Sequence, residues 1–186
     1  IETRCEMIRV ACVQRSTEWL QARLGVITAS QFSKILTPAK LQLSSQANGY
    51  ACKLVAEGMS GQVEETPTTA AMDRGIALEP AARAWYEFAT DRSVEQVGFC
   101  YLDERRSIGC SPDGLVLDDG GLEIKCLNGG SHVEFMQSKK VPPEYLMQVQ
   151  GSMWVTGRQW WDYVSSHDVL PPAYVRVIRD YSYIHR

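Results

Sequence analysis

The sequence predicts an α/β domain with a central mixed β-sheet flanked by helices, and three observations carry that reading. Apolar residues recur at helical spacing through much of the first 90 positions and again over 142–156. Elsewhere the pattern shortens to extended runs bounded by Gly, Asp, Asn and Pro. The resulting order of helices, a strand cluster, a helix and two strands needs a sheet on which helices can bury their apolar stripes.

Each element has a local reason. Ser16 is placed to cap a short helix through Trp19-Leu20-Gln21-Ala22-Arg23-Leu24, which Gly25 stops. Thr28-Ala29-Ser30-Gln31 has the spacing of a capping box and opens a second helix through Phe32, Ile35 and Leu36, closed by Pro38. Ser44 and Ser45 offer caps to a third, in which Tyr50, Leu54 and Val55 form a stripe before Gly58. The polar stretch 60–69 reads as a loop. Segment 70–89 is helical, with Leu78, Ala81, Ala82, Trp85 and Phe88 as its apolar stripe, and Pro80 predicts a kink or restart near Glu79 because it removes an amide donor. Strands follow at 94–102, 114–117 and 122–126, with Asp118-Asp119-Gly120-Gly121 turning a hairpin between the last two. A helix begins at Pro142-Pro143 and ends at Thr156 with Gly157 as its stop, before two more strands at 160–165 and 174–178.

Composition limits the function. At 186 residues, 45% hydrophobic and 22% charged, the chain can bury a sizeable core without disulfides or structural metal. Lys+Arg total 19 against 22 Asp+Glu, a net charge of −3, which excludes a simple polybasic nucleic-acid binder but not an enzyme with a local basic groove. The 6 cysteines form no CxxC or Cys/His cluster, so buried, reduced thiols and a cytoplasmic setting are expected rather than a zinc site. No apolar run approaches the ~20 residues that span a bilayer, and no secretory leader opens the sequence. The start at Ile1 and the abrupt end at His185-Arg186 lead us to expect further terminal elements outside these residues. No repeat or linker divides residues 1–186, which are expected to form a single domain.

The chemistry-bearing stretch is Ser111-Pro112-Asp113-Gly114-Leu115, followed by Gly121-Leu122-Glu123-Ile124-Lys125-Cys126. Glu123 and Lys125 lie two apart in a strand and project from one face, while Leu122, Ile124 and Cys126 face the core. The hairpin brings Asp113, at the head of the preceding strand, beside Glu123. Two carboxylates and a lysine then converge. Such oxygen ligands suit Mg²⁺, which lowers the pKa of a bound water and offsets charge on a phosphate, and Lys125 is placed to position or deprotonate that water. That is machinery for phosphodiester hydrolysis. As a bare pattern the same residues also fit a capped turn with a solvated cross-strand pair.

Further blocks make the pattern more specific. They are Trp19-Leu20-Gln21-Ala22-Arg23-Leu24-Gly25-Val26-Ile27-Thr28-Ala29-Ser30, Arg74-Gly75 with Leu78-Glu79, the stretch from Gly109 to Cys126, and Gln148-Val149-Gln150-Gly151-Ser152-Met153-Trp154-Val155-Thr156. In these, in order and over most of its length, the sequence resembles the phage lambda exonuclease and YqaJ-type viral recombinase family of PD-(D/E)xK nucleases. The resemblance implies a restriction-endonuclease-like core and an exonuclease, dependent on Mg²⁺ or Mn²⁺, that digests double-stranded DNA ends 5′→3′. It also implies processive action as a homotrimeric ring, 3′ single-stranded tails, a single-strand annealing protein as partner, and a phage or prophage origin.

Residue by residue, the resemblance makes Asp113 and Glu123 metal-binding carboxylates, adds the Ile124 backbone carbonyl and Glu79 to the metal site, and makes Lys125 the catalytic lysine. Gln148 matches a glutamine near the catalytic centre; on a helix Gln150 points about 200° away, so only one of the two can face the site. Arg23 and Ser30 match residues that hold the terminal 5′-phosphate, a role suited to a guanidinium fork and to a residue near a helix N-terminus. Met72 matches an apolar wedge between the strands at the duplex end, with packing in the core as its alternative. Gly151 stands where lambda exonuclease has an aromatic. Trp154, Trp160 and Trp161 are expected in the core or an interface, and His132, His167 and His185 are given no role. An endonuclease on the same core and a non-catalytic DNA-binding module are the rival readings; intact Asp113, Glu123 and Lys125 argue against the second.

Overall fold

A computed structural model describes residues 7–63 and 69–185. Cys5 and the centre of the expected 60–69 loop lie outside the described residues. The elements are β1 (Ile8–Val10), α1 (Thr17–Arg23), β2 (Ile27–Thr28), a 3₁₀ helix (Ala29–Lys34), α2 (Ala47–Ser60), α3 (Ala70–Thr90), β3 (Val94–Glu95), β4 (Phe99–Tyr101) and β5 (Ile108–Cys110). They continue as β6 (Gly114–Val116), β7 (Gly120–Cys126), α4 (Gly129–Ser138), α5 (Pro143–Thr156), β8 (Trp160–Ser166), β9 (Ala173–Ile178) and α6 (Tyr181–Ile184).

The strands divide between two sheets rather than one. A five-stranded mixed sheet runs β3-β6-β7-β8-β9, with β7 and β8 parallel and the other neighbours antiparallel. A four-stranded sheet runs β1-β4-β5-β2, parallel only between β5 and β2. The expected strand 94–102 is therefore two strands, one in each sheet. On one face of the larger sheet α3 packs Ala82 and Tyr86 onto Leu122, Ile124 and Val164. On the other, Phe135 of α4 and Val149 and Met153 of α5 meet Leu115, Trp161 and Tyr163. Helices thus cover both faces, as the sequence predicts, with β1, β2, β5, α4 and α6 as additions.

Local chemistry explains most boundaries. The Ser16 hydroxyl accepts the Trp19 amide, and Gly25 follows α1 at φ +66°. The segment after Thr28 is a 3₁₀ helix, not the expected capped α-helix: Thr28 pairs with Gly109 as part of β2 and makes no side-chain cap. Helix α2 runs past Gly58 to Ser60 and ends at Gly61, φ +67°, while Val55, expected in its apolar stripe, is 59% exposed. Ser44, two residues before the N-cap Gln46, supports the start of α2 by accepting the Gln46 amide. Helix α3 continues through Pro80 with no restart, because its burial against β7 and β8 outweighs one missing amide bond. Its buried face is Ala82 and Tyr86, whereas Phe88 is 90% exposed.

The β6–β7 hairpin turns at Leu117, Asp118 and Asp119, so Gly120 and Gly121 are strand residues and not the turn the sequence predicts. A Cβ at Gly120 would lie 2.0 Å from the Trp160 ring, and one at Gly121 2.3 Å from Trp161. The two tryptophans, core residues as expected, sit on opposite faces of β8 and pin β7 in register. Cys12, Cys52, Cys100, Cys110 and Cys126 are free thiols, with Cys52 exposed. Among the described residues no helix is long and apolar enough to cross a membrane.

Candidate active site

Pairing of Gly114 with Leu122 places Asp113 just before β6, next to the middle of β7. Its Oδ2 accepts the Ile124 amide at 2.6 Å. In an extended strand the amide and carbonyl of one residue point to the same edge, so the Ile124 carbonyl also faces Asp113, beyond the start of β6. Glu123 is 2% exposed. Its Oε1 lies 2.6 Å from Lys125 Nζ and accepts Gln148 Nε2 at 2.7 Å, while Oε2 is buried without a hydrogen-bond partner. The Lys125 ammonium also lies over the Tyr145 ring, 5.2 Å from its centroid. Solvation of an isolated cross-strand pair is excluded by that burial.

The electrostatics match two carboxylates crowded into a protected place. Burial, and after it the Glu123 carboxylate, push Asp113 up to about 8, with Lys125 only partly opposing them. Burial pulls the Lys125 ammonium down, but Glu123 and Asp113 outweigh it and hold the group above its ordinary value. The buried Glu123 carboxylate with its orphaned oxygen, the half-buried Asp113 carboxylate and the Ile124 carbonyl form a hard-oxygen donor set, and such a set fits Mg²⁺ or Mn²⁺.

The remaining predicted residues separate into those the structure gathers and those it does not. Gln148 on α5 contacts Glu123, whereas Gln150 donates to the Ile178 carbonyl and accepts the Asp180 amide. Glu79 on α3 shares a cleft of about 400 Å³ with Asp113, but its Oε1 is 2.5 Å from Arg83 Nη2 and its Oε2 is 3.1 Å from Arg15 Nη2. Accordingly, among the described residues no three His, Cys, Asp or Glu side chains converge as a metal cage. Arg23 donates to the Ser111 hydroxyl at 3.1 Å and stacks on Trp19, whose Nε1 donates to the same oxygen at 2.9 Å. Ser30 is exposed, with its hydroxyl 3.4 Å from that of Thr28, whose amide donates to the Tyr50 hydroxyl. Met72 is 50% exposed on the first turn of α3, which removes core packing as an account of it.

Sequence reasoning missed Arg15, Arg83, Ser111 and Tyr145. Three had a readable signal: Arg83 lies four residues after Glu79, Tyr145 three before Gln148, and Ser111 two before Asp113. His132, given no role, is a buried structural residue whose ring nitrogens bond Ser165 Oγ and the Pro171 carbonyl.

A mixed sheet sandwiched by helices, with paired carboxylates and a lysine at a hairpin and its neighbouring strand, defines a nuclease-type α/β fold. Residues 18–159 match the model of the YqaJ-like viral recombinase domain, and the chain belongs to that family. The crystal structure of an alkaline exonuclease, LHK-Exo, from Laribacter hongkongensis is 40% identical, with a TM-score of 0.82 over 91% of this chain and 86% of that one. The same exonuclease in complex with dAMP matches equally well. A phage related exonuclease from Haemophilus somnus 129PT, 16% identical with a TM-score of 0.65 over 86% of this chain and 87% of that one, shares the fold. Comparison with curated proteins gave no match.

Proposed function

We propose that the chain is a metal-dependent DNA exonuclease, with residues 1–186 as one nuclease domain. The observation that carries this reading is the convergence of Asp113, Glu123, the Ile124 carbonyl and Lys125 beside one cleft. Family membership and the 40% identical alkaline exonuclease, which binds dAMP, support it. Mg²⁺ or Mn²⁺ held by Asp113, Glu123 and the Ile124 carbonyl, with Glu79 joining once its Oε2 is released from Arg15, would supply a water of lowered pKa and compensate charge on the phosphate.

The protein's own groups do the rest. Gln148 fixes Glu123 through Oε1 and leaves the buried Oε2 without a hydrogen-bond partner. Lys125, held protonated by both carboxylates, positions an attacking water or a phosphate oxygen as an ammonium; it acts as a base only after the carboxylate charge is neutralised. Arg23 and Ser111, with Ser30 and Thr28 nearby, receive the terminal phosphate. The exposed Met72 wedges the duplex end. In this proposal the enzyme works 5′→3′ on double-stranded ends, processively as a homotrimeric ring, and leaves 3′ tails for a single-strand annealing protein in the cytoplasm of a phage-bearing host.

Digestion of linear duplexes carrying 5′-phosphate or 5′-hydroxyl ends in Mg²⁺, with the surviving strand identified, tests the proposal. Expected are release of nucleotides from the 5′-phosphorylated strand and survival of a covalently closed circle. Degradation of the circle would instead establish an endonuclease. Lys125→Ala should lower hydrolysis by roughly 10²–10⁴-fold, and unaltered activity would refute the assigned chemistry.

A further inference from the structure

Glu79 is the one expected ligand whose carboxylate is held by arginines, and those two arginines are not alike. Arg83 is fixed: its side chain is 12% exposed, and its Nε donates to the Asp113 carbonyl at 3.3 Å while Nη2 holds Glu79. Arg15 reaches Glu79 from 64 positions away with a side chain 49% exposed. It sits at φ +71° on the turn before Ser16, and that turn is tied to the site because Gln14 Nε2 donates to the Val97 and Pro112 carbonyls at 3.1 and 2.7 Å. Gln14, Arg15, Glu79, Arg83 and Asp113 line one cleft of about 400 Å³.

We propose that Arg15 is a coupling residue: in the free protein it closes Glu79 off from the metal site, and it exchanges that carboxylate for a phosphodiester of a DNA strand entering the cleft. The inference rests on the reading of the site as a metal-dependent nuclease. An exposed ion pair is weak, worth a factor of about five or less in an equilibrium, so it yields to a better partner. A phosphodiester offers the guanidinium fork two acceptor oxygens. Arg83 does not exchange, since it is buried against the Asp113 backbone. Metal taking Glu79 frees Arg15 for phosphate, and phosphate taking Arg15 frees Glu79 for metal. Reciprocity then requires each ligand to tighten the other by the same factor.

The test uses Arg15→Ala and Arg15→Lys in the whole chain; alanine keeps a Cβ, so the left-handed backbone is no more strained than before. Binding of Mn²⁺ to the DNA-free protein, read by electron paramagnetic resonance, should tighten by about two- to five-fold in Arg15→Ala. Binding of a 5′-phosphorylated duplex in Ca²⁺ should weaken, with the slope of log affinity against log salt reduced by about 1. Arg15→Lys should restore the salt slope. Unchanged or weaker Mn²⁺ binding in Arg15→Ala overturns the coupling, as does an unchanged salt slope. Asp113→Asn separates the two readings: if it abolishes Mn²⁺ binding while Arg15→Ala has no effect, only the coupling fails. If it leaves Mn²⁺ binding intact, the metal site and the coupling fail together.

Discussion

Asp113→Asn removes a carboxylate whose ionisation the metal-free protein resists, and the size of the effect follows from its surroundings. Burial and Glu123 raise the group from an ordinary value near 3.8 to about 8. Its folded-state value lies above the unfolded one, so the folded chain binds the proton more tightly. The resulting stability is fully present below about pH 4 and is lost as pH rises through about 8. Some four pH units at ~1.4 kcal/mol each set an upper bound of about 6 kcal/mol. Asp113 is only half-buried and lines an open cleft, and solvent screening there cuts the effect to about 2–3 kcal/mol. The amide of the variant keeps an oxygen for the Ile124 N–H, so that bond is retained. Urea unfolding in a chelator from about pH 3 to about pH 9 should show the wild type losing about 2–3 kcal/mol more than Asp113→Asn. Mg²⁺ should reverse the wild-type trend, because metal and proton compete for the same oxygens. Parallel stability curves for the two proteins would refute the reasoning.

Three further outcomes follow from contacts in the site and beneath it. Arg23→Gln should raise KM about ten-fold or more for 5′-phosphorylated ends while leaving kcat nearly unchanged, since in the proposed site it removes a charge-assisted contact to the terminal phosphate rather than to the bond that breaks; kinetics with 5′-phosphate and 5′-hydroxyl substrates check this. Gln148→Ala should lower kcat by about ten-fold with little change in KM in steady-state assays, because Glu123 loses the donor that fixes its carboxylate. Gly151→Ala should destabilise the protein by about 1–3 kcal/mol in thermal or urea unfolding, since its Cβ would lie 2.5 Å from the Phe32 ring.

The centre of the site was legible because its three side chains lie within one hairpin and its strand. The period of two in Glu123-Ile124-Lys125 fixes which groups share a face, and a short hairpin, wherever its turn falls between 117 and 121, brings Asp113 beside them. Helical geometry allowed only one of Gln148 and Gln150 to face the site, the family resemblance chose Gln148, and the hydrogen bonds agree. Legibility failed where a strand is three residues long, as in β1 and β5, because one alternation is no pattern. It failed at α4 because the two glycines after the Asn128 cap look like a turn. The Gly120-Gly121 pair was read as a turn for the same reason, although what demands glycine there is the pair of tryptophan rings on β8, 40 residues away, a contact no local pattern contains. Phe88 has the spacing of a buried residue but is 90% exposed, off the face that Ala82 and Tyr86 bury. The state of Glu79 was out of reach, since Arg15 arrives from a distant turn.

The pairing of β7 with β8 also bears on when the protein becomes dangerous to DNA during its own synthesis. The strand carrying Glu123 and Lys125 is central in its sheet, and one neighbour, β8, comes after the whole crossover of α4 and α5. Gln148, which steadies Glu123, belongs to that crossover. A nascent chain that has emerged only as far as the hairpin therefore has the three side chains of the proposed site, Asp113, Glu123 and Lys125, but an open strand edge and no Gln148 to hold Glu123. Parallel pairing across such a crossover forms late, after the intervening chain has been ordered. Assembly of the proposed site thus waits until the chain through Ser166 is available, and a chain that stalls before it keeps an unpaired β7 edge that makes it prone to aggregate.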